Sequence, residues 1–222
     1  MRLLRLPGVY RPRGDTELLR QALCAVSVPP GARMLDVCTG TGLIALTGAR
    51  LGAAEVHAVD ISARAVLTAR WNGWLRRAPV RAHRADLLPR AAGRFDLVTA
   101  NPPYVPYVPS CGRGGTRRTR TVDAGPDGRR YLDRLCEAAP RLLAPDGVLL
   151  VVHSALCGTE RTVELLHKAG LKAAVVARRV QPFGSVLHER AAWLEEQGLI
   201  TPAERRSAHD ELVVIRGDLP TR

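Results

Sequence analysis

The sequence predicts an α/β fold, a mostly parallel sheet of seven strands with an antiparallel edge and helices on both faces. Three observations carry this. Short apolar segments alternate with helical ones along nearly the whole chain. Those apolar segments do not alternate with polar residues, which marks strands covered on both sides. The last two strand-like segments follow one another across a longer connection, which suggests an antiparallel edge.

The elements follow in order. Asp15 to Val26 opens with Asp-Thr and repeats Leu18, Leu19, Ala22, Leu23 and Val26 at helical spacing, until Pro29-Pro30-Gly31 stops it. Arg33 to Val37 reads as a buried strand, followed by a Gly/Thr loop and a helix from about Leu43 to Leu51. Glu55 to Val59 is a second strand, ending at Asp60, and Ser62 caps a helix to about Arg77. Val80 to Arg84 is a third strand, ending before Asp86; Phe95 to Ala100 is a fourth, ending at Asn101. A loop rich in Pro, Gly and Arg runs from Pro102 to about Gly128, then a helix from Arg129 to Leu143 and a turn at Pro145-Asp-Gly147. Val148 to His153 is the fifth strand, and a helix covers Thr159 to Ala169. Leu171 to Arg178 and Glu211 to Arg216 are the last two strands, with a helix over Ser185 to Gln197 between them. The expectation is one domain over residues 1–222, with an N-terminal segment and helix to residue 30 and the sheet and its helices from 31 onward.

Composition narrows the class. With 46% apolar and 24% charged residues in 222, the chain is globular and long enough for a sizeable core. The formal net charge is +12, and Lys168 and Lys172 are the only lysines among 33 basic residues. Such a skew fits either a GC-rich genome or a polyanionic partner. No apolar run reaches a membrane-spanning length and no leader peptide is evident, so the chain reads as cytoplasmic. Five cysteines (24, 38, 111, 136, 157) form no CxxC pair, and six histidines are scattered singly, which argues against a disulfide framework or a metal site.

In open parallel sheets, ligands bind beyond the carboxyl ends of the strands. The unusual residues fall there. Asp36-Val-Cys-Thr-Gly-Thr-Gly42 follows the first strand, Asp60 the second, Asp86 the third and Asn101-Pro-Pro-Tyr104 the fourth. Gly40 and Gly42 let the backbone pass close to a ligand and turn into a helix. The spacing alone leaves a dinucleotide open, since Ala45 stands where its third glycine falls. Asp36 would suit a ligand ammonium and repel a pyrophosphate. Asp60, 18 residues past Gly42, suits a ribose diol, and Asp86 an adenine amino group. Ammonium, diol and adenine together describe S-adenosylmethionine better than a nicotinamide dinucleotide.

At these residues the chain resembles a class I S-adenosylmethionine-dependent methyltransferase, and more narrowly the HemK/PrmC family of N5-glutamine methyltransferases. The carriers are Asp36 to Gly42, Asp60-Ile61, Asp86-Leu87 and Asn101-Pro-Pro-Tyr104, with Val9-Tyr-Arg-Pro-Arg-Gly-Asp-Thr-Glu17 upstream and Asp123-Ala-Gly-Pro-Asp-Gly128 downstream. The resemblance spans Val9 to Arg216 and implies the Rossmann-like seven-stranded methyltransferase sheet. It implies cofactor contacts from Thr16, Asp36, Cys38, Thr39, Gly40, Thr41, Gly42, Asp60, Ile61, Asp86, Leu87 and Asn101. The acceptor would meet Tyr10, Asn101, Pro102, Pro103 and Tyr104, with Asn101, Pro102 and Tyr104 catalytic. Thr16 has a second reading as a cap of the first helix. Cys38 and Ala124 stand where the family often carries glycine. Eight residues precede Val9, too few for the helical N-terminal domain of bacterial release-factor enzymes. In outline the chain resembles the short archaeal and eukaryotic members, which commonly work with a small zinc-binding partner.

The expected chemistry is in-line methyl transfer to a planar nitrogen. The Asn101 side-chain oxygen and the Pro102 carbonyl accept its two hydrogens, and Tyr104 packs on the acceptor plane. No metal is called for. The leading acceptor is a glutamine in a protein such as a release factor. The alternatives are N6 of adenine in RNA or DNA, and a small molecule or peptide. Arg113, Arg117, Arg118, Arg120, Arg129 and Arg130 cluster after the motif and read as a substrate clamp. Few aromatics accompany them, which weakens a stacking platform for single strands.

Overall fold

Strands β1 (Arg33–Val37) and β4 (Phe95–Ala100) lie side by side at the centre of a seven-stranded sheet. A computed structural model describes residues 3–88, 93–107 and 122–221. From β1 the chain winds outward through α2 (Leu43–Arg50), β2 (Glu55–Asp60), α3 (Ala63–Trp74) and β3 (Val80–Arg84), all strands parallel. It then crosses back to β4, and α4 (Arg130–Leu142) leads to β5 (Leu143–Ser154), again parallel. After α5 (Thr159–Lys168), β6 (Lys172–Pro182) takes the outer edge. Two short helices, α6 (Ser185–Glu196) and α7 (Pro202–Ser207), return the chain so that β7 (His209–Asp218) slots between β5 and β6, antiparallel to both. The strand order is 3-2-1-4-5-7-6, so the winding reverses between β1 and β4. In sheets of this kind the ligand crevice lies at such a reversal, beyond the carboxyl ends of the two strands.

The continuous apolar strands are explained by two cores. Leu35 and Val37 pack with Phe95, Leu135 and Leu149 on the face covered by α4 and α5. Met34 points the other way, to Leu19, Leu23, Val56 and Leu150, on the face covered by α1 (Gly14–Cys24) and α2. Successive side chains go to opposite faces, and both faces are buried. A third, smaller cluster joins Val105 to Leu187, Ala191, Leu194 and Ile200 of the α6–α7 region.

Some boundaries differ from the sequence expectation. Helix α1 stops at Cys24, where the Ala25 amide turns back to the Ala22 carbonyl and the Val26 amide to the Leu23 carbonyl. The register of β4 and β5 jumps from Phe95–Leu143 to Leu97–Val148. The Pro145-Asp-Gly147 turn is thus a bulge within a longer strand, with Asp146 at φ +57°. Strands β6 and β7 extend further than expected because they pair with each other along their length. Helix α7 was not anticipated, although Thr201 and Glu204 form a reciprocal capping box around Pro202. Among the described residues, no helix is long and apolar enough to cross a membrane, and no group of three or more His, Cys, Asp or Glu stands ready for a metal ion.

Candidate active site

Two clusters of polar side chains meet at the crevice. The first organises the glycine loop. Asp36, at the end of β1, is almost fully buried, and its carboxylate accepts the hydroxyls of Thr39 at 2.6 Å and Thr99 at 2.8 Å. Burial pushes its carboxyl up to about 6, partly offset by those two hydroxyls and the Ala45 amide. Asp36 lies at the expected strand end, but its visible work is to brace the loop. Thr39 also donates its amide to the Val59 carbonyl, and the Gly42 amide closes the turn onto Thr39. Cys38 takes φ +58°, which accounts for a glycine preference at this position.

Asp60, half-buried at the end of β2, accepts the Gly40 amide on Oδ2 at 3.0 Å and the Ser62 amide on Oδ1 at 2.9 Å. Burial raises its carboxyl above the usual range, against the pull of those two amides. One lone pair on each oxygen stays available for a diol. Beside it Ile61 is 59% exposed, an apolar side chain on an otherwise polar rim. Asn72 of α3, fully buried, donates to the carbonyls of Thr41 and Leu4 and accepts the Leu4 amide. It pins the N-terminal segment across the glycine loop, a role not visible in the sequence pattern.

The second cluster surrounds Asp15, buried in the first turn of α1. Its Oδ1 accepts the Thr16 amide at 2.6 Å and the Thr16 hydroxyl at 3.1 Å. Its Oδ2 accepts the hydroxyls of Tyr10 at 2.8 Å and Tyr104 at 3.3 Å. The Thr16 Oγ1 hydrogen is committed to Asp15, so toward Asn101 that oxygen is an acceptor. Asn101 Nδ2 donates to it at 3.2 Å. This polarity fixes which way the Asn101 amide faces: the nitrogen toward Thr16, Oδ1 away from it. Thr16 therefore orients Asn101 and is not the helix cap, which falls at Arg13. Burial, with Asp15 beside it, holds the Tyr104 phenol well above its usual range, so it remains a donor at neutral pH. The same two causes raise Tyr10. Pro102 is buried and Pro103 half-buried between Asn101 and Tyr104.

Other expected residues stand apart from these clusters. Asp86 is at the rim, but its side chain is 61% exposed and pairs with Arg134 at 3.3 Å. Leu87 turns its side chain into the core at φ +65°, leaving only main chain at the rim. Arg113, Arg117, Arg118 and Arg120 lie outside the described residues. Arg129 corrects the substrate-clamp expectation. It is 2% exposed and donates to the carbonyls of Cys157 and Gly158, to Thr162 Oγ1 and to Asp133, tying α4 to α5. Cys157 in turn donates its thiol to the Tyr104 carbonyl at 3.0 Å. Asp15 was not among the expected site residues: the sequence placed it at a helix opening within the Val9–Glu17 segment, and only the fold brings the hydroxyls of Tyr10 and Tyr104 together on it.

The profile of the methyltransferase small domain family matches residues 1–108. A Methanocaldococcus jannaschii protein, provisionally named a protein N5-glutamine methyltransferase, is 33% identical over 82% of this chain and 90% of its own. A release factor glutamine methyltransferase of Mycobacterium tuberculosis is 31% identical over 90% of this chain and 70% of its own. The chain belongs to the HemK/PrmC family of glutamine methyltransferases. Among solved structures, the Mtq2–Trm112 complex of E. cuniculi, described as methylating the eRF1 translation termination factor, aligns with a TM-score of 0.63. It is 21% identical and covers 95% of this chain and 98% of that one, which shows a shared fold.

As a HemK/PrmC-family methyltransferase, the protein is an enzyme that uses S-adenosylmethionine. The crevice fits that group. Asp60 offers two carboxylate oxygens side by side, Ile61 offers exposed apolar surface, and Gly40 has nothing within 4 Å of where a Cβ would sit.

Proposed function

We propose that this enzyme methylates the side-chain amide nitrogen of a glutamine in a peptide chain release factor, with Asn101, Pro102 and Tyr104 at the acceptor. Asp60 would hold the ribose diol, Ile61 would cover the adenine, and the loop from Asp36 to Gly42 would wrap the remainder, with Asp86 and the Leu87 main chain at the adenine end. S-adenosylmethionine, when bound, supplies an electrophilic methyl carbon.

The single observation that carries the reading is the orientation of Asn101. A glutamine amide nitrogen is a poor nucleophile because its lone pair is conjugated with its carbonyl. Its two hydrogens need two acceptors that draw it toward tetrahedral geometry. Asn101 Oδ1, facing away from Thr16, is one. The Pro102 carbonyl is the other, held by two consecutive prolines whose φ is fixed. As positive charge grows on the nitrogen, both acceptors strengthen their hold, which favours the transition state over the ground state. Tyr104, tethered to Asp15, offers its ring to the acceptor plane.

The reading extends to a small partner subunit. A protein sharing this fold was solved in a complex with another protein. Helix α3 exposes Leu67, Trp71 and Trp74, continued by its C-cap Leu75, with Trp74 77% exposed, an apolar surface that a subunit would cover.

The test is to incubate the enzyme with isotope-labelled S-adenosylmethionine and either purified release factors or nucleic acid, with and without a candidate partner. Label on a release-factor glutamine, mapped by mass spectrometry, supports the proposal. Label in nucleic acid alone overturns it.

A further inference from the structure

The chain leaves the Asn101–Tyr104 motif through Val105-Pro-Tyr107 and returns through Val122 to Gly125, and these two stretches form a hydrogen-bonded stem. The Val105 amide donates to the Val122 carbonyl at 2.9 Å, Ala124 to Val105 at 3.0 Å and Tyr107 to Gly125 at 2.7 Å. The stem begins one residue after Tyr104. Any tilt of it moves the acceptor motif.

One side chain from a distant element grips both halves. Arg190 of α6 donates through Nη2 to Asp123 Oδ1 at 2.6 Å and through Nη1 to the Pro106 carbonyl at 3.1 Å. Its guanidinium stacks over the Tyr107 ring, 4.3 Å from the centroid. The Arg190 and Asp123 side chains are only 12% and 14% exposed, so the pair is shielded from water. Below it, Val105 is buried among Leu187, Ala191, Leu194 and Ile200, with Tyr104 packed against the same group. The α6–α7 connection between β6 and β7 thus forms a floor under the acceptor loop, and Arg190 is its charged fastening. A planar fork that makes two hydrogen bonds and stacks on a ring is a task for arginine that lysine does not reproduce.

We infer that Arg190 is a positioning residue for methyl transfer, which holds the Val105–Tyr107 and Val122–Gly125 stem so that Asn101, Pro102 and Tyr104 meet the acceptor. This rests on the amide-acceptor reading above. The cofactor side of the crevice shares none of these contacts, so its affinity should be independent of Arg190. Asp123 should act with Arg190 as one unit.

The experiment compares wild-type enzyme with Arg190→Lys, Asp123→Asn and the double variant. It measures S-adenosylmethionine affinity by calorimetry and kcat and KM for full-length release factor. Misplacing the motif by a fraction of an ångström should reduce kcat/KM for the acceptor about ten- to a hundredfold in each single variant. S-adenosylmethionine affinity should stay at the wild-type value, and the double variant should be no worse than the weaker single. Asp123→Glu, which keeps the charge, should recover part of the loss. The inference is overturned if the single variants keep wild-type kcat/KM, if their losses multiply in the double variant, or if cofactor affinity falls in step with acceptor turnover. Wild-type enzyme that labels no glutamine overturns the proposed function instead, which separates the two failures.

Discussion

The side-chain amide of Asn101 donates to the hydroxyl of Thr16 at 3.2 Å, across 85 residues of sequence. Thr16 stands in the first turn of α1, and Asn101 at the end of β4. Because Thr16 Oγ1 already donates to Asp15, the contact has one polarity and leaves the Asn101 oxygen for another partner. Replacing Thr16 with Val keeps the shape and removes the acceptor. Acceptor turnover should fall about ten- to a hundredfold, with the cofactor dissociation constant unchanged by calorimetry. Thr16→Ser should restore most of the rate, and a Thr16→Val enzyme of wild-type kcat would dismiss the orienting role.

Asp15 gathers four hydrogen bonds at a buried point. Asp15→Ala leaves the Tyr10 and Tyr104 hydroxyls and the Thr16 amide without their acceptor. Stranding such groups should reduce unfolding free energy by about 2–4 kcal/mol in urea titrations. A change within experimental error would mean that water takes the place of the carboxylate without loss.

The two loop glycines should separate folding from cofactor binding. Gly42 has φ +82°, and a Cβ there would press on Ala69 Cβ at 3.1 Å and Cα at 3.2 Å. Gly42→Ala should destabilise the fold by about 1–3 kcal/mol. Gly40 has φ +54° and open space around a Cβ, so Gly40→Ala should lose only about 1 kcal/mol, from the left-handed conformation. Its methyl group would stand in the crevice and weaken S-adenosylmethionine binding. If Gly40→Ala binds the cofactor normally by calorimetry, the loop does not lie against it.

Asp210 gives the enzyme a pH signature. It is 2% exposed, accepts the Ser154 hydroxyl on Oδ1 at 2.5 Å, and its Oδ2 has no partner among the described residues. Burial pushes its carboxyl up to about 6, with the Ser154 bond opposing and Asp15 and Glu211 adding to the rise. The native state therefore holds this proton more tightly than the unfolded chain does. As pH rises from about 4 to 6, the unfolded chain ionises first, and the contribution of Asp210 to stability falls. Asp210→Asn should remove that loss. The variant should gain stability over wild type across this window by about 1–2 kcal/mol and hold the gain at pH 7.5, as read by urea titration at each pH. A gain that is the same at pH 4 and pH 7.5 would place the effect elsewhere.

Much of the crevice was legible because its residues are consecutive and sit at strand ends. Asp36 to Gly42, Asp60 and Asn101 to Tyr104 needed only the alternation of strand and helix to be placed on one rim. The supports of these residues come from afar. Asp15 is linked to Tyr104, Asn72 to Leu4 and Arg190 to Asp123 by contacts that no spacing rule announces. Arg129 was misread for the same reason: in sequence it belongs to a run of arginines, and in the fold it fills a buried socket of carbonyls. The antiparallel edge was legible as two final strands, whereas the insertion of β7 inside β6 depends on the return path through α6 and α7.

The most direct test of the account is the mass-spectrometric mapping of methyl label on release factor, run in parallel with wild-type enzyme and Asn101→Ala. Wild type should give one labelled glutamine and Asn101→Ala none, although both bind S-adenosylmethionine equally. Label on the same glutamine at an undiminished rate with Asn101→Ala would contradict it.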